Sequence, residues 1–274
     1  MKIAVMSDIH GNYIALQRCL AHALEQNVDA YIFLGDYLGE FPYPQRTLEI
    51  LYELKQNASC IFIRGNKEDY WLNRRKDQNC DWKSGNRSVM AMIYNYNSLN
   101  AKDLDFFETL PISQSIRFAG MEPVLACHGT PFENQKALLS EELFVQKCEE
   151  RYIICGHTHM QGFVSDGKKR IINAGAVGVP LKSPKKTQYM ILTSDGKDWK
   201  PEFLSLEYDV DTVIKEIHES GLWDASPYWC RITEHLLDTG ELPHGTVLNH
   251  VMKLNDYQDL WYNIADSYWE LGIR

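Results

Sequence analysis

Seven side chains able to bind a cation are spread over the first 159 residues of this 274-residue chain, and each follows an apolar run. Asp8 and His10 follow residues 2–7, and Asp36 follows 30–34 through Gly35. Asn66 follows 60–63 through Arg64-Gly65, His128 follows 123–127, and His157 and His159 follow 152–155. The set holds three oxygen donors, four imidazoles and no thiolate. Such a mixture suits Mn, Fe or Zn and is too rich in nitrogen for a dedicated Mg or Ca site. Seven donors exceed the needs of one ion and are natural for two that share a carboxylate. Two divalent ions against two aspartates leave a net positive centre, which attracts phosphate and acidifies a bridging water. The chemistry implied is hydrolysis of a phosphate ester by in-line attack of a metal-bridging hydroxide. Asp36, Asn66 and His128 are candidates for catalytic as well as metal-holding roles.

Taken singly, each motif has an ordinary reading. Asp-Ile-His is a helix cap beside a histidine, Gly-Asp is a turn, and a histidine after a strand is a hydrogen-bonded loop residue. The Gly156-His157-Thr158-His159 run carries more information, because period-two spacing on a strand end points both imidazoles the same way. The decisive property is joint occurrence, always at strand ends, where loops of layered α/β sheets converge in a crevice. Glycine beside a donor permits a tight turn and close approach of backbone to an ion. Asn12, four residues after Asp8, either reaches the phosphate or caps the first helix. Tyr37, Phe41, Tyr43, Tyr70 and Trp71 lie in segments after donor-bearing strands. They either form an aromatic wall for a nucleobase or pack beneath their own loops.

The elements that must position these groups alternate. Residues 2–7, 30–34 and 60–63 read as buried strands, with helices over 12–26 and 44–55 between them. Residues 81–110 read as helical beyond a polar loop around 76–88. Residues 123–127 and 152–155 read as strands, and Asp166-Gly167 and Asp195-Gly196 as hairpin turns. Strands are expected over 186–193 and 201–206. From Asp209 onward the texture is helical. Ser226-Pro227 reads as a capped helix start, and a last helix is expected to carry Leu260, Trp261, Ile264, Tyr268 and Leu271.

Bulk properties narrow the partners. The net charge of −9 opposes tight sequence-independent binding to nucleic acid, which needs many Lys and Arg contacts. Seven cysteines, odd in number and without a CxxC, fit reduced thiols of a cytoplasmic protein. No signal peptide or bilayer-length apolar run is read, so no membrane partner is expected. A small phosphate ester, a nucleotide among the candidates, is the expected partner, and homo-oligomers stay open.

In this order the motifs DxH (8–10), GDxxG (35–39), GN (65–66), HG (128–129) and GHTH (156–159) resemble the calcineurin-like metallophosphoesterases. The stretch 173–180, NAGAVGVP, is similar to the NPGSVGxP segment of the small bacterial branch. The resemblance implies an α/β fold of two mixed β-sheets packed between helices, with residues 1–207 catalytic and 208–274 a helical C-terminal extension serving as cap or interface. It implies one ion held by Asp8, His10, Asp36 and His159, another by Asp36, Asn66, His128 and His157, and Asp36 bridging. Many relatives carry His after GN. Lys67 stands there instead, as a point charge for a phosphate oxygen or an exposed residue at a helix start. The activity implied is that of a phosphodiesterase. A dinucleoside polyphosphate hydrolase, a phosphomonoesterase and a non-catalytic binding module on the same fold are the alternatives.

Overall fold

The computed structural model describes residues 1–77, 82, 87, 89–138 and 145–273. Cys80 and much of the expected 76–88 loop lie outside them. The chain runs β1 (Lys2–Met6), α1 (Tyr13–Glu25), β2 (Ala30–Phe33), α2 (Pro44–Asn57), β3 (Cys60–Phe62) and α3 (Asn66–Lys76). It continues through α4 (Met90–Ser98), α5 (Ala101–Thr109), β4 (Ser113–Ile116), β5 (Val124–Cys127), β6 (Tyr152–Cys155), β7 (Gln161–Ser165) and β8 (Arg170–Ala174). Then come β9 (Lys186–Ser194), β10 (Trp199–Glu207), α6 (Val210–Glu219), α7 (Leu222–Ala225), α8 (Pro227–Thr239), α9 (His244–Leu254) and α10 (Asp266–Gly272).

Two mixed sheets result, ordered β10-β9-β1-β2-β3 and β4-β5-β6-β8-β7. Strand periodicity decides how they stack, because successive side chains point to opposite faces. Ile3, Val5, Ile32, Leu34 and Ile63 of the first sheet meet Val124, Ala126, Ile154, Ile172 and Ala174 of the second in one buried cluster. The alternate residues Ala4, Met6, Tyr31, Phe33 and Phe62 face outward and are covered by helical residues such as Leu16, Leu48, Leu51 and Phe107. The pair β1–β2 and the pairs β5–β6 and β6–β8 are parallel. Their carboxyl ends therefore lie at one edge of the sandwich.

The helices after β10 do not stand apart. Val213, Ile217, Trp229, Leu236 and Trp269 share one buried cluster with Phe41, Ala176 and Val179 from the strand-end loops. Both expected hairpins form, β7–β8 around Asp166-Gly167 and β9–β10 around Asp195-Gly196. The expected last helix is corrected. Trp261–Asn263 is a 3-10 turn, and helix resumes only at Asp266. Pro227 opens α8, but the Ser226 hydroxyl donates to Arg87 O rather than capping the helix. The edge strand β4 went unforeseen because its sequence, SQSI, is polar and half exposed. Among the described residues, no helix is long and apolar enough to cross a membrane.

Candidate metal centre

The loops leaving the strand ends are laced to one another before any side chain is considered. Asp8 N donates to Gly35 O at 3.0 Å, His10 N to Asp36 O at 2.9 Å, and Gly156 N to His128 O at 2.9 Å. The NAGAVGVP stretch joins them, with Val177 N and Gly178 N donating to Ser7 O and Asp8 O, each at 2.9 Å. To turn side chains inward within so few residues, the backbone enters the left-handed region at Asp8, His10, Asp36, His157 and His159, with φ of 54–66°. That conformation is uncommon for residues other than glycine and costs about 1–3 kcal/mol when it persists at a functional site.

The donors converge in two groups. Asp8 Oδ1 lies 3.2 Å from His159 Nε2 and 3.7 Å from His10 Nε2, and those two nitrogens are 3.3 Å apart. On the other side Asn66 Oδ1 lies 3.1 Å from His128 Nε2 and 3.0 Å from His157 Nδ1, and Asp36 Oδ1 is 3.5 Å from His128 Nε2. Both carboxylates stand between the groups: Asp8 Oδ1 is 3.9 Å from His128 Nε2, and Asp36 Oδ2 is 3.8 Å from His10 Nε2. Asp8 Oδ1 is buried and makes no hydrogen bond of proper geometry. Bonds of about 2.0–2.2 Å to one ion put neighbouring donors roughly 3.0–3.5 Å apart. The donor atoms thus have the spacing of a shared coordination shell, and the residues fit a metal.

Electrostatics agree with that fit. Burial raises the Asp8 carboxyl, but the histidines around it, His159 and His128 first and His10 after them, outweigh burial and hold it well below the usual range. Burial lowers His10 and His128, yet the carboxylates facing them prevail and bring them to about 10 and about 9. An entering cation would take the place of those protons, since a metal-bound imidazole must be neutral. Ring orientation is fixed from behind. His128 Nδ1 donates to Leu34 O at 2.8 Å, and His10 Nδ1 faces Glu40 Oε2, so in both rings Nε2 is the nitrogen turned toward Asp8 and Asp36.

Two carboxylates that sequence reasoning missed support this arrangement. Glu68, fully buried, accepts from Gly65 N at 2.8 Å, Tyr37 N at 2.9 Å and Asp36 N at 3.0 Å. It pins the Gly-Asp and Gly-Asn turns to each other. Burial first and the Asp36 charge second raise its carboxyl to about 7. Glu40 faces His10 and accepts from Lys67 Nζ at 2.7 Å, so Lys67 enters the site already ion-paired. The only prior signal for either was proximity to a motif.

All seven expected donors and Lys67 come together here. Asn12 does not join them: its Oδ1 caps α1 through Ala15 N, and its Nδ2 donates to Gly178 O and Tyr208 Oη. Of the five aromatic residues considered, Tyr37, Phe41 and Trp71 are buried in the core, Tyr43 packs under Arg46, and Tyr70 alone faces the site. The cavity above the donors has a volume of about 700 Å³. Its far wall is built by the C-terminal segment, through Trp229 and the helix α9 residues His244 and Leu248, and through Trp261 in its 3-10 turn. None of these four was singled out as functional from the sequence.

The glycines between donors are there because nothing larger fits. A Cβ on Gly65 would fall 2.2 Å from Asp36 Oδ1, and one on Gly156 would fall 1.9 Å from Ser7 Oγ and 2.5 Å from Asp8 Oδ2. Gly156→Ala is therefore expected to destabilise the fold by about 1–3 kcal/mol and to weaken metal binding by displacing Asp8. Chemical denaturation and metal titration read both effects, and an unchanged metal affinity would refute the steric account.

Residues 1–197 match the family model described as the calcineurin-like phosphoesterase superfamily domain, and the chain belongs to that superfamily. A curated relative, an uncharacterized protein of Methanocaldococcus jannaschii, is 27% identical over 247 residues, covering 83% of this chain and 94% of its own. The fold is shared with a hypothetical protein of Pyrococcus horikoshii, at TM-score 0.71 and 18% identity over 88% of this chain and 98% of that one. A metallophosphoesterase of Sphaerobacter thermophilus aligns at TM-score 0.67 and 22% identity, over 88% of this chain and all of its own (100%).

Proposed function

We propose that the chain hydrolyses a phosphate ester, preferring diesters, in a centre for two divalent transition-metal ions. The observation that carries this reading is the pair of donor groups with Asp8 and Asp36 between them. One ion would be held by Asp8, His10, Asp36 and His159, the other by Asp36, Asn66, His128 and His157, with Asp36 shared. When bound, the two ions supply an acidified water and a positive field for the developing charge on phosphorus-bound oxygens.

The rest of the chemistry falls to the chain. Asn66 and His128 position the substrate side of the second group. Lys67 offers positive charge at the cavity wall, tempered by its ion pair with Glu40. Glu40 also explains the preference for diesters. The His10 and Lys67 charges outweigh the cost of its burial and keep it ionised well below the usual carboxylate range. By neutralising Lys67, Glu40 leaves less positive charge at the cavity wall for the second charge of a monoester dianion. Residues 1–207 would then carry the catalysis and 208–274 the cap over it, because the far wall of the cavity comes from the latter. The odd number of cysteines and the lack of a CxxC support a reducing compartment such as the cytoplasm.

The test is a chelator-stripped protein reloaded separately with Mn, Fe and Zn. It would be assayed on bis(p-nitrophenyl) phosphate and on p-nitrophenyl phosphate. Activity is expected to vanish on stripping, to return with metal, and to be higher on the diester. Absence of turnover on both esters with all three ions would refute the reading.

A further inference from the structure

The donors occupy only one end of a cavity far larger than a phosphate. At about 700 Å³ it falls within the range of about 300–1,000 Å³ that accepts whole organic ligands. Tyr70, Trp229, His244 and Trp261 share the remaining lining with aliphatic residues such as Met92, Leu181 and Leu248. Tyr70 stands one turn after the candidate ligand Asn66 on α3 and lines the cavity with it, while its ring lies 6.2 Å from the Trp261 ring, tilted by 47°. Across the cavity Trp229 lies against the His244 ring, with centroids 4.8 Å apart. The His244 Nε2 is engaged with Thr233 Oγ1 at 2.9 Å, and burial pushes this imidazole down to about 3, so the wall it forms is uncharged. Asn249 also lines the cavity and brings an amide able to hydrogen-bond a heterocycle edge.

We propose that the ester is a nucleoside phosphodiester, its base lodged against Trp261 and Tyr70 while its phosphate lies over the Asp-His donors. This rests on the phosphoesterase reading above and adds the substrate class to it. The juxtaposition is what argues for it. Tyr70 links the candidate centre to Trp261 directly, so a flat group one sugar away from the phosphate meets an aromatic face rather than solvent. An aliphatic ester would leave that face uncovered. Trp261 sits in a 3-10 turn of the C-terminal segment, whereas all the metal donors precede residue 160. Selectivity and chemistry thus come from different parts of the chain.

Two substrates with the same leaving group isolate the contribution of the nucleoside: thymidine 5′-(p-nitrophenyl phosphate) and ethyl p-nitrophenyl phosphate. The metal-loaded full chain is expected to favour the nucleoside ester in kcat/KM by roughly tenfold or more, since stacking on a base is sequence-tolerant and strong. Trp261→Ala is expected to erase most of that ratio through KM, and Trp261→Phe to restore it. A ratio that Trp261→Ala leaves intact would overturn the proposal. So would a wild-type protein that treats the two esters alike. Inhibition of the unaltered protein gives a second measure that needs no variant. Thymidine 5′-monophosphate should inhibit at roughly one-tenth the concentration of ethyl phosphate or less, and equal inhibition would count against the aromatic wall. Failure of the phosphoesterase reading looks different, because neither ester is then cleaved with any metal. In that case calorimetric binding of thymidine 5′-monophosphate, strong in the wild type and lost in Trp261→Ala, still decides whether the wall holds a base.

Discussion

Asp36→Asn is expected to lower kcat/KM by at least about three orders of magnitude and to cost the metal-free fold part of its stability. The activity loss follows from position. The two carboxylate oxygens of Asp36 face different imidazoles, Oδ1 toward His128 and Oδ2 toward His10. The amide keeps the shape and one oxygen, which still accepts from Lys67 N, a bond of 2.8 Å in the parent. It removes one negative charge and turns one donor atom into an N–H group that no cation can use. At about 1.4 kcal/mol per tenfold, the expected loss is about 4 kcal/mol of transition-state stabilisation. The stability cost follows from pairing, since burial raises the Asp36 carboxyl but His128 and then His10 hold it below its usual range, and removing one partner of a buried ion pair leaves the others uncompensated. Metal at a hundred times its dissociation constant stabilises a folded protein by about 2.7 kcal/mol. The parent should therefore melt higher with metal, and Asp36→Asn should lose most of that rise. A variant that kept both parental turnover and the metal-induced rise would refute the shared-carboxylate arrangement.

Glu68→Ala is expected to destabilise the fold by roughly 3–5 kcal/mol, because three buried backbone N–H groups lose their acceptor together. Each unsatisfied buried donor costs about 1–3 kcal/mol, and water entering the vacated space offsets part of the sum. For a chain of this length the melting temperature should fall by roughly 8–15 °C. Glu68→Gln keeps one acceptor oxygen and should recover part of the loss. The effect should also reach the chemistry, since two of the three donors are Asp36 N and Gly65 N, at the two turns that present Asp36 and Asn66. Thermal unfolding of the metal-free proteins separates the structural cost from the loss of bound ions. A drop below about 1 kcal/mol for Glu68→Ala would mean that the turns hold without this carboxylate.

The donors were legible in the sequence because each obeys a local rule. A strand of period two ends, a glycine or a short turn follows, and a donor comes next, so Asp8, His10, Asp36, Asn66, His128, His157 and His159 announce themselves one loop at a time. Glu40 and Glu68 obey no such rule. Their roles arise only when the Gly-Asp loop, the Gly-Asn loop and the start of α3 come within hydrogen-bonding distance. The aromatic residues show the same boundary. Tyr37 follows a donor-bearing strand as Tyr70 does, yet its hydroxyl donates to Ile63 O and its ring stacks on Phe107 inside the core. Neighbourhood in sequence does not say which face of a loop a ring will take. Trp229, His244 and Trp261 lie some 70 to 100 positions beyond the last donor, and nothing in their own segments marks them as more than packing residues. A sheet layered with helices was readable from the alternation of strands and helices, and the pairing of two sheets only through the family resemblance, whereas β4 was hidden by its polarity and the end of the chain by an irregular turn at residues 261–263.

The left-handed residues at the strand ends have a consequence for how ions come and go. Main chain at Asp8, His10, Asp36, His157 and His159 is held in its demanding shape by backbone hydrogen bonds between the strand-end loops, such as Asp8 N to Gly35 O and His10 N to Asp36 O. The energy for that bending comes from the sandwich beneath, so an arriving ion need not reshape the loops to gather its donors. What it must do is shed water and displace protons. The pace of loading should thus follow the ion's own hydration and the acidity of the medium, and the polypeptide of the loaded form should superimpose on the empty one nearly atom for atom.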